Sequence, residues 1–341
     1  MSATDMTAVP HAPRTVGVAI VSYKSAQLTI DCLRSIAEER GRSALRIRCV
    51  VIDNASGDGP TVSDAIAANG WQDWARVVVA PRNGGFAYGN NLGLVELERD
   101  GRVDFVHLLN PDTVLHPGAI EALVNFFDAH PRAGIAGGTF ENGDGSEWAI
   151  AFRFPSLLGE IEQGVKLGLV SRLLSGSCVP MHMGTTAAPV DWVSGASMMV
   201  RREVFSRVGG LDETFFLYFE ETEFCYRAKA AGFEVWYVPA SRVVHIAGQS
   251  TKVTERNVGP RRLPPYWFDS RRLFFTLTHG PGYAMAADAL AIGAGWIGIA
   301  KSAMLGRLRT HVPHFLRDLF RRSAFRAGPL GATRAAPPRF D

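Results

Sequence analysis

The sequence predicts an α/β protein built on a doubly wound, mostly parallel sheet. Short apolar runs of the length of a buried strand alternate with longer segments in which apolar residues recur at helical spacing. A cluster of polar residues follows each of the first four runs. Because the carboxyl ends of parallel strands lie at one edge of a sheet, these clusters predict one crevice large enough for a nucleotide.

The first third of the chain supplies four strands and three intervening helices. Continuous apolar runs, as opposed to alternating ones, are typical of strands that are buried on both faces of a parallel sheet. The strands are predicted at residues 16–22, 48–52, 75–80 and 105–109, and the helices at 28–36, 61–69 and 87–97. This order predicts repeated β-α-β units, in which each helix crosses back over the sheet.

The polar clusters supply candidate ligand-binding residues at the ends of these strands. They are Ser22-Tyr23-Lys24, Asp53-Asn54, Arg82-Asn83-Gly84-Gly85 and Asn110-Pro111-Asp112. Pro111 ends the fourth strand and places the carboxylate of Asp112 where it can hold a divalent cation and, through it, a phosphate. Asp53 can accept hydrogen bonds from a pyrimidine or a ribose, and Gly84 and Gly85 let a ligand approach the backbone. Taken alone, the Asn-Pro-Asp cluster fits a simple turn equally well.

Composition and the motifs that are missing argue against several classes of protein. With 341 residues, 47% hydrophobic and 20% charged, the chain has the composition of a globular protein with a large core. No GxGxxG follows the first strand and no Walker lysine loop occurs, which argues against a dinucleotide oxidoreductase and a P-loop NTPase. The four cysteines form no CxxC pair, so they predict buried thiols in a reducing compartment and no zinc site. Residues 1–14 predict a short disordered tail without a secretory signal, and hence a cytoplasmic enzyme core.

Residues 282–341 predict a helical appendage that associates with a membrane. Residues 282–300 are apolar except for Asp288, so a helix that is interfacial or re-entrant is favoured over one that spans. From residue 301 onward nine Lys or Arg and two Asp give a charge of +7, which leaves −4 for the first 300 residues. This pattern predicts an anionic membrane surface as partner, and without a recognition fold it predicts no nucleic acid. A helix docked on the core with a solvated tail is the alternative.

Motifs spread over roughly residues 15–280 resemble, in order and spacing, those of the family-2 glycosyltransferases. The nucleotide-binding half carries Ile20-Val-Ser-Tyr23, Val51-Ile-Asp-Asn54, Arg82-Asn-Gly-Gly-Phe-Ala-Tyr-Gly-Asn-Asn-Leu-Gly93 and Leu108-Leu-Asn-Pro-Asp112. The acceptor half carries Trp192-Val-Ser-Gly-Ala196, Gly209-Gly-Leu-Asp-Glu213, Phe216-Leu-Tyr-Phe-Glu-Glu-Thr-Glu223 and Val244-His-Ile-Ala-Gly-Gln-Ser250. Within the family, Pro265-Tyr-Trp-Phe-Asp-Ser-Arg-Arg272 with His279 is most similar to the bacterial rhamnosyltransferase branch.

The resemblance implies a GT-A fold over residues 15–281, with a nucleotide-sugar part (15–115) and an acceptor part (116–281). Asp53 would bind the base, while Asp112, the last acid of the DxD motif, and His245 would hold Mg²⁺ or Mn²⁺ at the diphosphate. Asn110 stands where the fuller motif has an acid, which removes one charge from the metal site. The predicted nucleotide-sugar-binding residues are Ser22, Tyr23, Asp53, Asn54, Asn83, Gly84, Gly85, Asn90, Asn110 and Asp112.

Three glutamates follow the aromatic run 215–219 and are the candidate catalytic carboxylates. Inverting transfer needs a base that takes the proton of the acceptor hydroxyl, and burial beside like charges raises a carboxyl pKa toward the useful range. In the Glu-Asp motif of the resembling family the second acid is the base, and Glu221 stands there with Glu220 as the second candidate. Glu223 is expected to cap or orient the following helix. The aromatic run by itself is more typical of buried core than of a sugar platform.

The acceptor side is less specified. The residues predicted to bind the acceptor are Trp192, Gly195, Ala196, Arg271 and Arg272. The two arginines would clamp a diphosphate, or would lie on a solvated face. Residues 152–183 are interpreted as either a mobile lid or a contact for an acceptor lipid.

The resulting functional hypothesis is an inverting, metal-dependent hexosyltransferase of cell-envelope glycan synthesis. It would transfer rhamnose from dTDP-rhamnose to a lipid-linked or polysaccharide acceptor, as a peripheral protein on the cytoplasmic face of the inner membrane. A homo-oligomer is left open. The alternatives are a transferase for a UDP-hexose or UDP-galactofuranose, and a catalytically weak sugar-nucleotide-binding scaffold.

Overall fold

The computed structural model describes residues 13–148, 150–165, 168–245, 261–306 and 312–328. The strands in these segments are β1 (Thr15–Ser22), β2 (Arg46–Asp53), β3 (Ala75–Val79), β4 (Phe105–Leu109), β5 (Thr113–Leu115), β6 (Ala133–Glu141), β7 (Glu147–Trp148), β8 (Ile150–Phe152), β9 (Pro180–His182), β10 (Ala188–Val190), β11 (Ser197–Arg201) and β12 (Glu234–His245). Most of the predicted disordered tail and residues 246–250 of the motif that begins at Val244 lie outside the described residues.

The helices cover both faces of the sheet and form the C-terminal region. They are α1 (Ala26–Arg42), α2 (Gly59–Ala68), α3 (Gly85–Arg99), α4 (Ala119–Ala129), α5 (Leu157–Val165), α6 (Gly168–Leu173), α7 (Arg202–Val208), α8 (Glu220–Ala230), α9 (Pro265–His279), α10 (Pro281–Met304), α11 (Phe315–Arg321) and α12 (Ala324–Ala327). The four strands and three helices predicted for the first third of the chain are confirmed, with ends that differ by a few residues.

The main sheet has the strand order β10-β12-β6-β11-β4-β1-β2-β3. Strands β4, β1, β2 and β3 pair in parallel, and so do β6 and β12. Between these two groups β11 runs antiparallel to both β4 and β6. The sheet is therefore mostly parallel, as predicted, and β11 joins the nucleotide half to the acceptor half.

The two faces of the sheet bury two separate cores. Side chains alternate across a strand, so Val16, Val18 and Ile20 of β1 enter the core beneath α1, whereas Ala19 enters the core on the opposite face. Both cores are covered by helices, which is why β1 and β4 are apolar along almost their whole length. This burial fixes the strand ends, and the residues that follow them, at one edge of the sheet.

The C-terminal helices dock on the rest of the fold. Along α10 the backbone approaches α5 so closely that a Cβ at Gly298 would lie 2.1 Å from the carbonyl oxygen of Gly164. Asp288, which was expected to disfavour membrane insertion, is 1% exposed and paired with Arg271 of α9. The docked alternative is therefore the observed one for this face of α10.

The outer face of α10 keeps the membrane question open. In the described part of the chain α10 is the one helix long and apolar enough to cross a membrane, and only 33% of its apolar window is buried. Its exposed apolar side chains include Met285, Trp296 and Ile297. The expected membrane-facing helix thus remains a prediction for the outer face alone.

Candidate active site

The loops after β2 and β3 are joined directly at the predicted donor crevice. The side-chain amide of Asn54 donates to Asn83 Oδ1 and to the carbonyl oxygen of Gly85, both at 3.1 Å. In return, the backbone N–H of Gly84 donates to Asn54 Oδ1 at 3.3 Å. Two predicted polar clusters are therefore brought together, and Asn54 acts as the link between them.

Asp53 is almost fully bonded within its own loop. Its carboxylate accepts hydrogen bonds from the backbone N–H and hydroxyl of Ser56, at 2.9 and 2.6 Å, and from the N–H of Gly59 at 3.0 Å. Burial favours the neutral form, but the hydrogen bonds from Ser56 and Gly59 outweigh it, so the pKa of Asp53 lies below its ordinary value. The carboxylate is ionised at neutral pH and shapes the turn before α2; its contact with a base stays a prediction.

Gly85 has a different role from the expected one. Its φ is +88°, and a Cβ there would lie 1.9 Å from the carbonyl oxygen of Phe216, to which the N–H of Phe86 donates at 2.9 Å. The backbone that approaches Gly85 therefore belongs to the acceptor half of the same chain. The prediction that Gly85 leaves room for a ligand is wrong on this side of the residue, because the chain itself occupies that space.

Three other predicted donor residues differ in their surroundings. Ser22 is buried and its hydroxyl bonds to Ser25 and Thr29 at the start of α1. The amide of Asn90 donates to Phe86 O, one turn back in α3, at 3.0 Å. Tyr23 is 41% exposed and is free to contact a ligand from the rim of the sheet.

A cleft of about 290 Å³ collects the residues with the most suggestive chemistry. The described side chains around it come from both halves of the domain and include Asn110, Asp112, Trp192, Glu220, Glu221 and His245. Gly195 and Ala196 form part of its wall, and their contact with an acceptor stays a prediction. Sequence analysis did not predict the aromatic wall of this cleft. Two residues of that wall, Trp148 and Phe152, lie in a segment in which no motif was recognised. Such a wall suits the apolar face of a sugar ring.

Trp192 forms one side of this aromatic wall and is fixed in two ways. Its ring stacks on Phe152 with the centroids 4.0 Å apart, and its indole N–H donates to the carbonyl oxygen of Arg153 at 2.9 Å. The polar edge of the ring is thereby satisfied within the protein. Its apolar surface remains to face the cleft.

Asp112 and His245 are far apart in the sequence and are brought together by strand pairing in the sheet. Strand β12 pairs with β5 in an antiparallel register that sets His245 opposite Thr113. His245 Nε2 then lies 3.4 Å from Asp112 Oδ1, and Asp112 is 4% exposed. Among the residues that the structure describes, neither Asp112 Oδ1 nor His245 Nδ1 has a hydrogen-bond partner. A buried carboxylate oxygen without a donor is unfavourable unless a cation or a ligand supplies one.

This pair fits a divalent metal as an open, two-ligand site. Within the described segments no group of three or more His, Cys, Asp or Glu is placed to hold a metal ion. Carboxylate and imidazole ligands suit Mn²⁺, and a carboxylate suits Mg²⁺, which commonly takes its remaining ligands from water and substrate phosphates. The donor set is thus consistent with a metal that depends on the donor diphosphate for full coordination.

Glu220 and Glu221 begin α8 and are placed by an unusual turn. Tyr218 and Phe219 both have positive φ, +69° and +68°, which reverses the chain immediately before the helix. Left-handed conformations cost energy for non-glycine residues and are found where function requires a defined position. Here the turn points the first residues of α8 toward the cleft wall formed by Gly195.

The environment of the two glutamates favours a shared proton. Burial raises the pKa of Glu220 well above the ordinary glutamate value, and the charge of Glu221 raises it further. Burial also raises the pKa of Glu221, although hydrogen bonds from backbone N–H groups, including that of Gly195, oppose the shift. Because the two carboxylates are close and like charges repel, the pair favours a state in which at least one of them is protonated. A carboxyl with a raised pKa in a cleft has the chemistry that a general base requires.

Glu223 is structural, as expected. Its carboxylate accepts two hydrogen bonds from Arg227 Nε, at 2.8 and 2.9 Å, and is fully buried. The guanidinium of Arg227 also donates to the carbonyl oxygens of Val208 and Gly210, at 2.5 and 2.8 Å. The pair therefore fixes α8 against the segment after α7.

The two arginines predicted to bind the acceptor do not line this cleft. Arg271 is 2% exposed, and it forms ion pairs with Glu160, at 2.9 Å, and with Asp288. It links α9 to α5 and α10, and its charge is already balanced. Arg272 lines a second cavity on the other side of α9. The sequence could not reveal these contacts, because the partners of Arg271 lie more than 100 residues before it and 17 after it.

Comparison with known proteins identifies the family of the chain. The family model described as "Glycosyltransferase like family 2" matches residues 13–259, which include every residue of the cleft. The chain belongs to glycosyltransferase family 2. This family-2 chain is 33% identical over 236 residues to the N-acetylglucosaminyl-diphospho-decaprenol L-rhamnosyltransferase of Mycobacterium tuberculosis, a match spanning 64% of this chain and 70% of that protein.

Two further likenesses extend the comparison. The rhamnosyltransferase WbbL of Escherichia coli is 26% identical over 166 residues, which span 48% of this chain and 61% of that protein. The mannosyltransferase PcManGT from Pyrobaculum calidifontis, solved in complex with GDP-Man and Mn²⁺, matches with a TM-score of 0.51 at 16% identity. That match covers 93% of this chain and 88% of the mannosyltransferase. At this identity the likeness concerns the fold, and it confirms the expected GT-A type.

The contrast between two neighbouring glutamates gives a stability prediction. A carboxyl whose folded-state pKa is raised destabilises the fold as the pH rises from the unfolded value, about 4.3, toward the folded one. Glu220→Gln is therefore expected to raise the unfolding free energy at pH 8 by about 1 kcal/mol, with a smaller gain at pH 5. Glu223→Gln breaks a buried ion pair and is expected to lower it by about 3 kcal/mol. Thermal denaturation at both pH values measures this, and a loss of stability in Glu220→Gln at pH 8 would contradict the assigned environment.

Proposed function

We propose that this glycosyltransferase transfers rhamnose from dTDP-rhamnose to a lipid-linked acceptor, with inversion at the sugar. The observation that carries the proposal is the cleft, in which an unpartnered buried carboxylate at Asp112 and a proton-sharing glutamate pair occupy one cavity. Inverting transfer needs these two functions on separate carboxylates, since one neutralises the leaving diphosphate and the other takes a proton. The names of the two rhamnosyltransferases support the sugar.

Cation binding, proton transfer and sugar binding are assigned to different residues of the cleft. Asp112 and His245 would hold a divalent cation, which supplies charge that stabilises the departing diphosphate. The hydroxyl of the acceptor approaches Glu221, whose carboxylate accepts its proton as the oxygen attacks the anomeric carbon. Glu220, protonated, keeps a second negative charge out of the cleft. Trp192 and the aromatic wall hold the sugar ring and exclude water, which favours transfer over hydrolysis.

The two departures from the family pattern are compatible with this division. Asn110 lies at the cleft but is neutral, so less negative charge is available to the cation than a full DxD motif offers. Glu221 is one methylene longer than the aspartate of the resembling motif, and α8 sets it against Gly195, where there is no side chain to displace it. The site can therefore still hold a cation and supply a base, with one charge fewer at the cation and a longer side chain at the base.

The acceptor and the location are inferred from the name of a relative and from the exposed face of α10. The Mycobacterium tuberculosis relative is named for a diphospho-decaprenol acceptor, and α10 exposes apolar side chains beside a basic C-terminal sequence. We infer a polyprenyl-diphosphate-linked sugar as acceptor and peripheral binding at the cytoplasmic membrane face. The donor nucleotide is the least constrained feature, because pocket shape selects it.

A panel of donors tests the proposal. The full chain is heated with dTDP-rhamnose, UDP-glucose or UDP-galactofuranose, each in the presence and absence of Mg²⁺ or Mn²⁺. We expect dTDP-rhamnose with metal to raise the melting temperature most, since binding at about 100 times Kd stabilises by about 2.7 kcal/mol. Stabilisation by a UDP-sugar alone would overturn the choice of donor. Binding without any metal-dependent hydrolysis of the donor would indicate a scaffold.

A further inference from the structure

A second cavity, of about 700 Å³, lies between α9 and the helices α11 and α12. Its described charged side chains are four arginines and two aspartates, a net charge of +2; they are Arg262, Arg272, Arg321, Arg322, Asp269 and Asp318. Only a thin wall separates it from the catalytic cleft. Phe216 and Tyr266 line this cavity, Tyr218 lines the cleft, and the rings of Tyr218 and Tyr266 lie 6.0 Å apart.

The aspartates do not neutralise the arginines. Asp318 is occupied by Arg262, which donates to it twice, at 2.6 and 2.9 Å. Asp269 is shared between Arg322, at 2.5 Å, and Arg272, at 3.4 Å. Arg321 is exposed and forms no ion pair with any residue in the described segments. The excess positive charge is therefore concentrated on the arginines around Asp269.

Arg272 has a buried hydrogen-bond donor that is not used within the described residues. The residue is only 5% exposed, and its Nε finds no hydrogen-bond acceptor among the residues that the structure describes. One other nitrogen, Nη1, donates to the carbonyl oxygen of Arg322 at 3.0 Å. A buried guanidinium with an unused donor is unfavourable, and a phosphate in the cavity would supply acceptors in the forked geometry that arginine prefers.

An apolar groove continues from this cavity. The groove, of about 270 Å³, lies between α5, α10 and the start of α11. Its apolar lining includes Ala291, Ile299, Phe315 and Leu316, and its polar lining includes Glu160 and Arg317. Phe268 lines the arginine cavity, and its ring centroid lies 5.6 Å from that of Phe315 in the groove. A positively charged pocket thus adjoins a largely apolar groove, which matches a molecule with a phosphate head and a hydrocarbon chain.

We infer that the arginine cavity binds the diphosphate of an isoprenoid-linked acceptor, whose hydrocarbon chain enters the groove beside α10. The identity of the bound lipid as an acceptor rests on the proposed function. The position explains why the cavity and the cleft share one wall, because the sugar attached to the diphosphate must reach Glu221 across the segment 216–218. The donor diphosphate, at Asp112, is bound separately.

Binding of farnesyl diphosphate to the full chain tests this inference directly, with no turnover required. Titration calorimetry in the absence of donor gives the Kd of wild type and variants. Arg321→Ala is expected to weaken binding about tenfold, the loss of one charge-assisted contact. Arg272→Lys is expected to weaken it similarly, because an ammonium cannot form the forked pair. Arg326→Ala, an exposed arginine of α12 outside the cavity, is the matched control and should bind as wild type does.

The same titrations distinguish the alternatives. Unchanged affinity in both Arg321→Ala and Arg272→Lys would overturn the inference, as would displacement of farnesyl diphosphate by dTDP with Mg²⁺. If inorganic pyrophosphate binds as tightly, the groove makes no contribution and the lipid assignment is wrong. If only phosphatidylglycerol vesicles bind, the arginines form a headgroup surface and the acceptor assignment is wrong. Farnesyl diphosphate binding that persists while no nucleotide sugar binds would refute the proposed function and leave this site intact.

Discussion

Glu221→Gln is expected to lower the turnover number by about two to four decades while donor affinity is retained. The amide keeps the size of the carboxylate and part of its hydrogen bonding, including the contact with the backbone of Gly195. It cannot accept the proton of the acceptor hydroxyl. The change therefore removes an interaction that operates only in the transition state, which lowers kcat and kcat/KM together.

Glu220→Gln is the matched control, since it makes the same change at the adjacent glutamate, which is more deeply buried than Glu221. Because Glu220 is already protonated in the active form, its replacement should leave turnover within a factor of a few of wild type. The acid limb of the kcat/KM profile should also lie above the ordinary glutamate pKa, because burial raises the pKa of Glu221. If Glu220→Gln loses turnover and Glu221→Gln keeps it, the base is Glu220. If both retain it, the pair is structural.

Asp112→Ala is expected to reduce donor affinity and turnover together, by about three decades in kcat/KM, or about 4 kcal/mol. The substitution removes the buried oxygen that lies beside His245 and has no donor among the described residues. Without it the cation is held by one imidazole and by the donor. Affinity should therefore fall mainly in the presence of metal, while metal-free binding of the nucleotide changes little.

The control for Asp112 is Asp31→Ala. Asp31 lies on α1 and borders the outer groove that Asp112 also borders, but its carboxylate is half-exposed and pairs with Arg34. Its removal should change neither affinity nor turnover. Donor binding measured with and without Mn²⁺ decides the matter, and equal metal dependence in wild type and Asp112→Ala would show that the cation binds elsewhere.

Local sequence patterns predicted the nucleotide half of the fold because each of its helices and strands can be recognised from a few consecutive residues. The run from Val16 to Ser22 is apolar since β1 is covered on both faces, and Pro111 ends the fourth strand, β4, because proline cannot continue the ladder. Sequence motifs also singled out Asp112, Glu220 and Glu221 as candidate site residues. The cleft that joins them depends on β11 and on the register of β12, which no local pattern encodes.

What sequence reasoning missed are contacts between distant segments. Arg271 was interpreted as either a diphosphate ligand or a residue on a solvated face, yet it is buried and Glu160 and Asp288 already balance its charge. Asp288 was weighed as a cost in a membrane for the same reason, since its partner was not visible. Gly85 suggested room for a ligand, whereas that room is filled by the backbone at Phe216. A charged residue or a glycine in the sequence indicates that another group lies close to it, but the sequence alone does not identify that group.

The measurement that tests the central claim most directly is mass spectrometry of the lipid product. The full chain is incubated with dTDP-rhamnose, Mg²⁺ or Mn²⁺ and N-acetylglucosaminyl-diphospho-polyprenol, with wild type, Glu221→Gln and Asp112→Ala in parallel. The account predicts a metal-dependent mass increase of one deoxyhexose, about 146 Da, on the lipid in wild type and at most about one per cent of it in either variant. An unmodified lipid with wild type, or equal product from Glu221→Gln, would contradict it.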